Sequence, residues 1–157
     1  MSTGITTALD RLFTITGGLF PNHKELVNPY FPEINDEISF EACYGIAVAD
    51  GFRTDRVIGC QHSVERNFVI ILTRKIVGSN LRTADALLDR RTKEKLIFED
   101  QELLINEVEK HPDLNSNMVI AKTLWESDGG LEFYSTEKTN LILIRSVFSL
   151  EYFNDLV

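Results

Sequence analysis

Residues 141–157 read LILIRSVFSLEYFNDLV, and their side chains alternate with a period of two almost to the last residue. Ile142, Ile144, Phe148, Leu150 and Tyr152 share one face, broken only by Ser146, while Leu141, Leu143, Arg145, Val147, Ser149, Glu151 and Phe153 share the other. The period predicts a strand over 141–153, on the order of 43 Å long at roughly 3.3 Å per residue. That is more than double the usual strand of about five or six residues. One face is apolar and the other half apolar, so at a sheet edge this strand would invite pairing with other chains unless something covered it. The even face suits packing on helices. The odd face, apolar but registered by Arg145 and Glu151, suits coverage by another chain.

Moving back along the chain, NMVIAKTLWES reads as a strand, DGG as a turn, LEFYS as a short strand and TEKTN as a second turn, completing an antiparallel meander. Residues 81–110 contain neither Gly nor Pro and end at His111-Pro112, which predicts one long helix. Its apolar positions cluster at the two ends, and DRRTKEK between them has none, a place for the helix to bend or project. VERNFVIILTRKIV, 64–77, is apolar on both faces at its centre and predicts the middle of a sheet. A strand from Ile38 to Val48 precedes it, then ADGFRTD as a turn and a further extended segment at 56–61. At the start, Ile5, Ala8, Leu9, Leu12 and Phe13 fall at helical spacing over 3–16, with Gly17-Gly18 as a stop. Residues 19–37 hold three prolines among aromatic and acidic residues and predict a loop or arm anchored by Phe20, Tyr30 and Phe31. The order predicts one α+β domain over 1–157, a mostly antiparallel sheet packed by an N-terminal helix and one long central helix.

The totals narrow the function. A chain of 157 residues can bury a sizeable core without staples. Two cysteines, Cys43 and Cys60, are too few for a disulfide scaffold and fit reduced thiols inside a cell. There is no signal-peptide pattern at the start and no apolar run of membrane-spanning length. With 16 Lys and Arg against 24 Asp and Glu, the net charge is −8, and no basic patch for phosphate is visible.

Chemistry-bearing motifs are sparse. Cys60-Gln61-His62 with Cys43 and His23 lacks the paired C-x₂₋₄-C or H-x₃₋₅-H spacing of structural zinc, and a Cys–His nucleophile there has no identified orienting acid. The glycine stretches sit where turns and caps belong rather than where a phosphate loop would. Asp85, Asp89, Glu99, Asp100 and Glu102 lie on a helix rich in compensating charge, as a solvated face does. No cofactor, metal or catalytic residue is therefore expected, and a small cytoplasmic enzyme using Cys43, His62 or the helix carboxylates is the reading from a different class.

The long helix has one asymmetry. Residues 82–95 carry five positive charges against three negative, and residues 96–109 carry five negative and none positive. This opposes the helix macrodipole, which favours anions at the N-terminus and cations at the C-terminus. It predicts that Arg90, Arg91 and Lys95 of one subunit meet Glu102 and Glu107 of a neighbour, a head-to-tail contact of the kind that closes rings. Intrachain compensation by loops is the alternative.

The helix, YGIAVADGFRTDRVIGC, ERNFVIILTRKI, the long charged helix and WESDGGLEFYSTEKTNLILIRSVFSLEYF together resemble the tail terminators of tailed bacteriophages, over roughly residues 3–153. The resemblance rests on element order and on the DGG–LEF hairpin and FSLEYF strand, since no catalytic or binding motif defines that family. It implies an α+β virion protein of the neck, assembled in the host cytoplasm as a ring, usually hexameric. Such a ring caps the tail tube protein, ends tube polymerisation and faces the head–tail connector or adaptor protein, while DNA passes through its lumen without specific binding. A head-completion or connector-adaptor protein of the same neck is the near alternative. Neither reading involves a membrane.

Overall fold

The computed structural model describes residues 4–31, 40–58, 61–76, 84–114, 120–135 and 140–155. The period-two closing run forms β5 (Asn140–Asp155), and β3 (Gln61–Ile76) lies antiparallel beside it. The two pair residue for residue from Ile76↔Asn140 to Gln61↔Asp155 without a register shift. With β1 (Lys24–Glu25), β2 (Ala42–Ile58) and β4 (Ile120–Ser135), the sheet order is β1-β2-β3-β5-β4. The closing strand is thus paired on both sides, and the edge hazard that its pattern raised does not arise. All strand pairs are antiparallel except β1 with β2.

Over the paired stretches the flanking strands use more residues than the ladder strands they pair with. Between Ala42↔Arg74 and Ile58↔Gln61, β2 advances sixteen residues while β3 advances thirteen. From Ile120↔Tyr152 to Ser135↔Asn140, β4 advances fifteen while β5 advances twelve. The surplus is taken up in bulges, which bend a strand and raise its twist. Two expected turns are such bulges. ADGFRTD lies inside β2, where the register shifts between Val48 and Gly51, and the hairpin turns after Ile58 instead. A side chain at Gly51 would have its Cβ 2.6 Å from Cζ of Arg66, whose guanidinium donates to the Ala49 carbonyl at 3.0 Å. DGG lies inside β4, where Asp128 Oδ1 accepts from the Gly130 N–H at 2.8 Å and Gly130 takes φ of +80°. The flanking residues keep their partners on β5, so the chain does not reverse.

Both helices cover the even face. From α1 (Gly4–Leu19) come Ala8 and Leu12, and from α2 (Ala84–Lys110) come Ile97, Leu104 and Val108; they bury Phe68, Ile70, Leu72, Ile144 and Phe148. Gly17-Gly18 does not stop α1, which runs to Leu19 and closes with the Phe20 N–H on the Thr16 carbonyl at 3.1 Å. Its N-terminus is pressed onto the end of β5: a Cβ on Gly4 would lie 2.5 Å from the Phe153 carbonyl oxygen. There Asn154 Oδ1 accepts from the Gly4 N–H at 3.0 Å, a cap supplied from the far end of the chain. Asn154→Ala should lower stability by about 1 kcal/mol, as loss of a cap does, and urea unfolding would measure it. α2 is unbroken through DRRTKEK, and Lys93 in that stretch is buried, its stem packed inward and its ammonium on the Glu41 carboxylate. The expected residue Leu81 lies outside the described residues. Ser146, the break in the apolar stripe, is also explained: Gln101 of α2 donates to Ser146 Oγ at 2.9 Å and to Asp128 Oδ2 at 3.0 Å.

The odd face departs from expectation. Leu141 and Leu143 are buried by this chain itself, in a second cluster with Leu26, Cys43 and Ile71 and with Val69 and Tyr134 packed against it. The reason is the first part of the proline-rich segment. β1 adds in parallel to β2, the Leu26 N–H donates to the Tyr44 carbonyl at 2.8 Å, and the Val48 N–H donates to Tyr30 Oη at 3.1 Å. Pro29 then sits so close to β2 that a Cβ on Gly45 would be 2.8 Å from its own. Phe20 and Leu26 anchor this segment, while Tyr30 and Phe31 keep their rings exposed. Residues 32–37 of the expected arm lie outside the described residues.

Candidate functional site

The seven residues expected at an interface fall in three environments. Arg145, on the odd face of β5, donates from Nε to Glu132 Oε2 at 2.7 Å and from Nη2 to Tyr134 Oη at 3.3 Å. Burial pulls its pKa down, but these hydrogen bonds and the Glu132 charge outweigh that and leave it raised. Glu151 is buried on the same face, opposite Glu65 on β3 and Lys122 on β4, and Ser149 Oγ donates to Glu65 Oε1 at 2.9 Å. Arg90 bonds Glu94 one turn on, and Glu107 stands 3.9 Å from His111. Arg91, Lys95 and Glu102 are exposed on the outer side of α2.

A cleft of about 370 Å³ opens where the end of α1, the start of β2 and the middle of α2 meet, lined by Phe20, His23, Glu41, Arg74, Asp100 and Leu103 among others. Arg74 grips Asp100 with Nε at 2.9 Å and Nη2 at 2.7 Å, and His23 Nε2 approaches the same carboxylate at 3.3 Å under the Phe20 ring, 4.7 Å centroid to centroid. The carboxylate is held by donors from two directions, the geometry of a clamp that ties the segment after α1 to β3 and α2. Nothing in the local spacing of residues 23, 74 and 100 signals this cluster. On the same helix-facing side of the sheet, burial and then the Glu25 charge hold the Tyr44 phenol above its ordinary range.

The ingredients of the enzyme alternative lie apart. Cys43 is buried opposite Thr73, and His62 is opposite Val57 and Asn154 at the other end of β3. That is roughly 36 Å of extended strand. His23 is in the Asp100 cluster, and Cys60 lies outside the described residues.

Sequence reasoning named Tyr30 and Phe31 only as anchors of the 19–37 segment, and did not single out Val27, Phe52 and Leu124 as exposed apolar side chains at the sheet edges. On the β1–β2 side Val27 is 81% exposed and Phe52 62%, and Tyr30 and Phe31 are also exposed; on β4 Leu124 and Phe133 are each nearly half exposed, the first opposite Ser149 and the second opposite Ile142. On alternation alone such residues look like ordinary strand or loop positions; only the strand order makes them edges. Comparison of the chain with known protein families finds no matching family model, and comparison with curated proteins finds no match.

Proposed function

We propose that the chain is a structural subunit of the tailed-phage neck, forming a ring, usually of six copies, that caps the tail tube, ends its polymerisation and joins the tail to the head connector. The reading starts from the resemblance of its stretches and element order, and the α+β fold agrees with it. The observation that carries it is that both outer sides of one sheet carry exposed apolar side chains, and unlike ones: Val27, Tyr30, Phe31 and Phe52 on the β1–β2 side, and on β4 Leu124 and Phe133, one on each face of the strand. A closed ring needs two different surfaces on each subunit, each meeting the other kind on its neighbour. The bulges of β4 disfavour continuous strand addition there, so the contact is made by side chains. A net charge of −8 suits passage of DNA through the lumen without retention.

Incubation with polymerising tube protein is the test, read by negative-stain imaging of rings and of tube lengths. Tubes should stop at shorter lengths with a ring at one end, and Phe52→Lys or Phe133→Lys should each abolish capping alone, because every contact in a ring uses both edges. Unchanged tube lengths with the native chain would sink the assignment.

A further inference from the structure

We propose that two copies of the chain pair through the outer ridge of α2, antiparallel, about a two-fold axis midway between Lys95 and Phe98. Leu88, Arg91, Lys95, Phe98, Glu102 and Glu109 follow one another at intervals of three, four or seven residues, the spacing that keeps side chains on one line of a helix. All six are exposed. The ridge is basic on one side of its midpoint and acidic on the other, with Leu88 62% and Phe98 42% exposed as apolar anchors.

A ridge with that antisymmetry is complementary to its own rotated copy. Arg91 and Glu102 lie equally far from the midpoint, so turning the ridge over brings Arg91 of each copy against Glu102 of the other. Lys95 likewise falls over Phe98 and beside Glu99 of the second copy, and each contact occurs twice. A parallel contact between Arg91 and Glu102 would require one helix to slide eleven residues, about 16 Å, leaving much of each ridge uncovered. The macrodipoles point the same way. Basic residues in the first half of α2 and acidic ones in the second half oppose the field of their own helix, but an antiparallel neighbour presents its negative end to the first and its positive end to the second. The sequence's misplaced charges are correctly placed for a second copy.

The pairing stands on α2 alone and uses none of the sheet-edge residues of the neck reading, so the two fail separately. A two-fold contact also closes at two copies, whereas a head-to-tail contact through the same ridge would continue to a ring or a chain. The test is native mass spectrometry and light scattering of the full chain at low salt. A dimer is expected, and it should weaken by tenfold or more in 1 M NaCl, where the screening length drops to about 3 Å. Arg91→Glu with Lys95→Glu, and separately Glu99→Lys with Glu102→Lys, should each be monomeric with unchanged circular dichroism, and an equimolar mixture of the two variants should restore a heterodimer. A native chain that stays monomeric at 100 µM and low salt, variants that dimerise as the parent does, or variants that remain monomers when mixed would each overturn the proposal. Ridge variants that still cap tubes, and edge variants that still dimerise, are expected from the independence of the two surfaces.

Discussion

Phe148→Ala is expected to lower the unfolding free energy by about 3–5 kcal/mol, the range for deleting a buried aromatic ring that its surroundings cannot refill. The ring is fully buried at the centre of the sheet, opposite Phe68 on β3 and Trp125 on β4, under the two helices. Because β3 and β5 run in unbroken register there, neither strand can slip to close the cavity without turning its whole apolar face outward. Urea unfolding monitored by circular dichroism would measure the loss. Phe133→Ala, on the same sheet but at the open edge, should change stability by no more than about 0.5 kcal/mol. If the two variants were equally stable, the packing of the even face would be other than described.

Asp100→Ala should cost nearly as much, about 3 kcal/mol, the lower end of the range for breaking a buried ion pair by removing one partner. The side chains of Arg74 and Asp100 are 15% and 13% exposed, so the guanidinium left behind has little water to replace its partner, and the cleft admits enough to keep the loss from being larger. The same substitution releases His23 and with it the segment that carries Phe20 into the core. The double variant Asp100→Leu with Arg74→Met should recover much of the loss, since an apolar pair of similar volume leaves no buried charge. Equal losses in the single and double variants would show that the clamp does not act through its charge pair, a comparison that a double-mutant cycle makes directly.

Much of this architecture can be read from side-chain periodicity alone. β5 is written in alternation, β3 in a run that is apolar on both faces, α2 in the absence of helix breakers, and the even face of β5 packs on the helices as its pattern implies. The bulges cannot be read that way. Asp-Gly and Asp-Gly-Gly suit a turn or a bulge equally as sequence, and which of the two forms depends on pairing with residues such as Arg66 and Ser146 that are remote in sequence. Lys93 falls on the buried line of α2, seven residues after Ala86 and four before Ile97, but its partner Glu41 is remote in sequence and does not show in the helix pattern. The interface candidates divide likewise. Arg91, Lys95 and Glu102 are exposed, whereas Arg90 and Arg145 find their partners, Glu94 and Glu132, within the chain.

The unbroken β3–β5 ladder joins two hairpins that are far apart along the chain. β2–β3 and β4–β5 can each form from near neighbours, but the ladder between them must wait for a long loop to close, and pairings of that kind dominate the folding time of sheet proteins. During synthesis β3 is therefore complete, with Phe68, Ile70, Ile71 and Leu72 at the middle of an unpaired edge, long before β5 leaves the ribosome. A strand whose centre is apolar on both faces spends that interval as an open, adhesive edge.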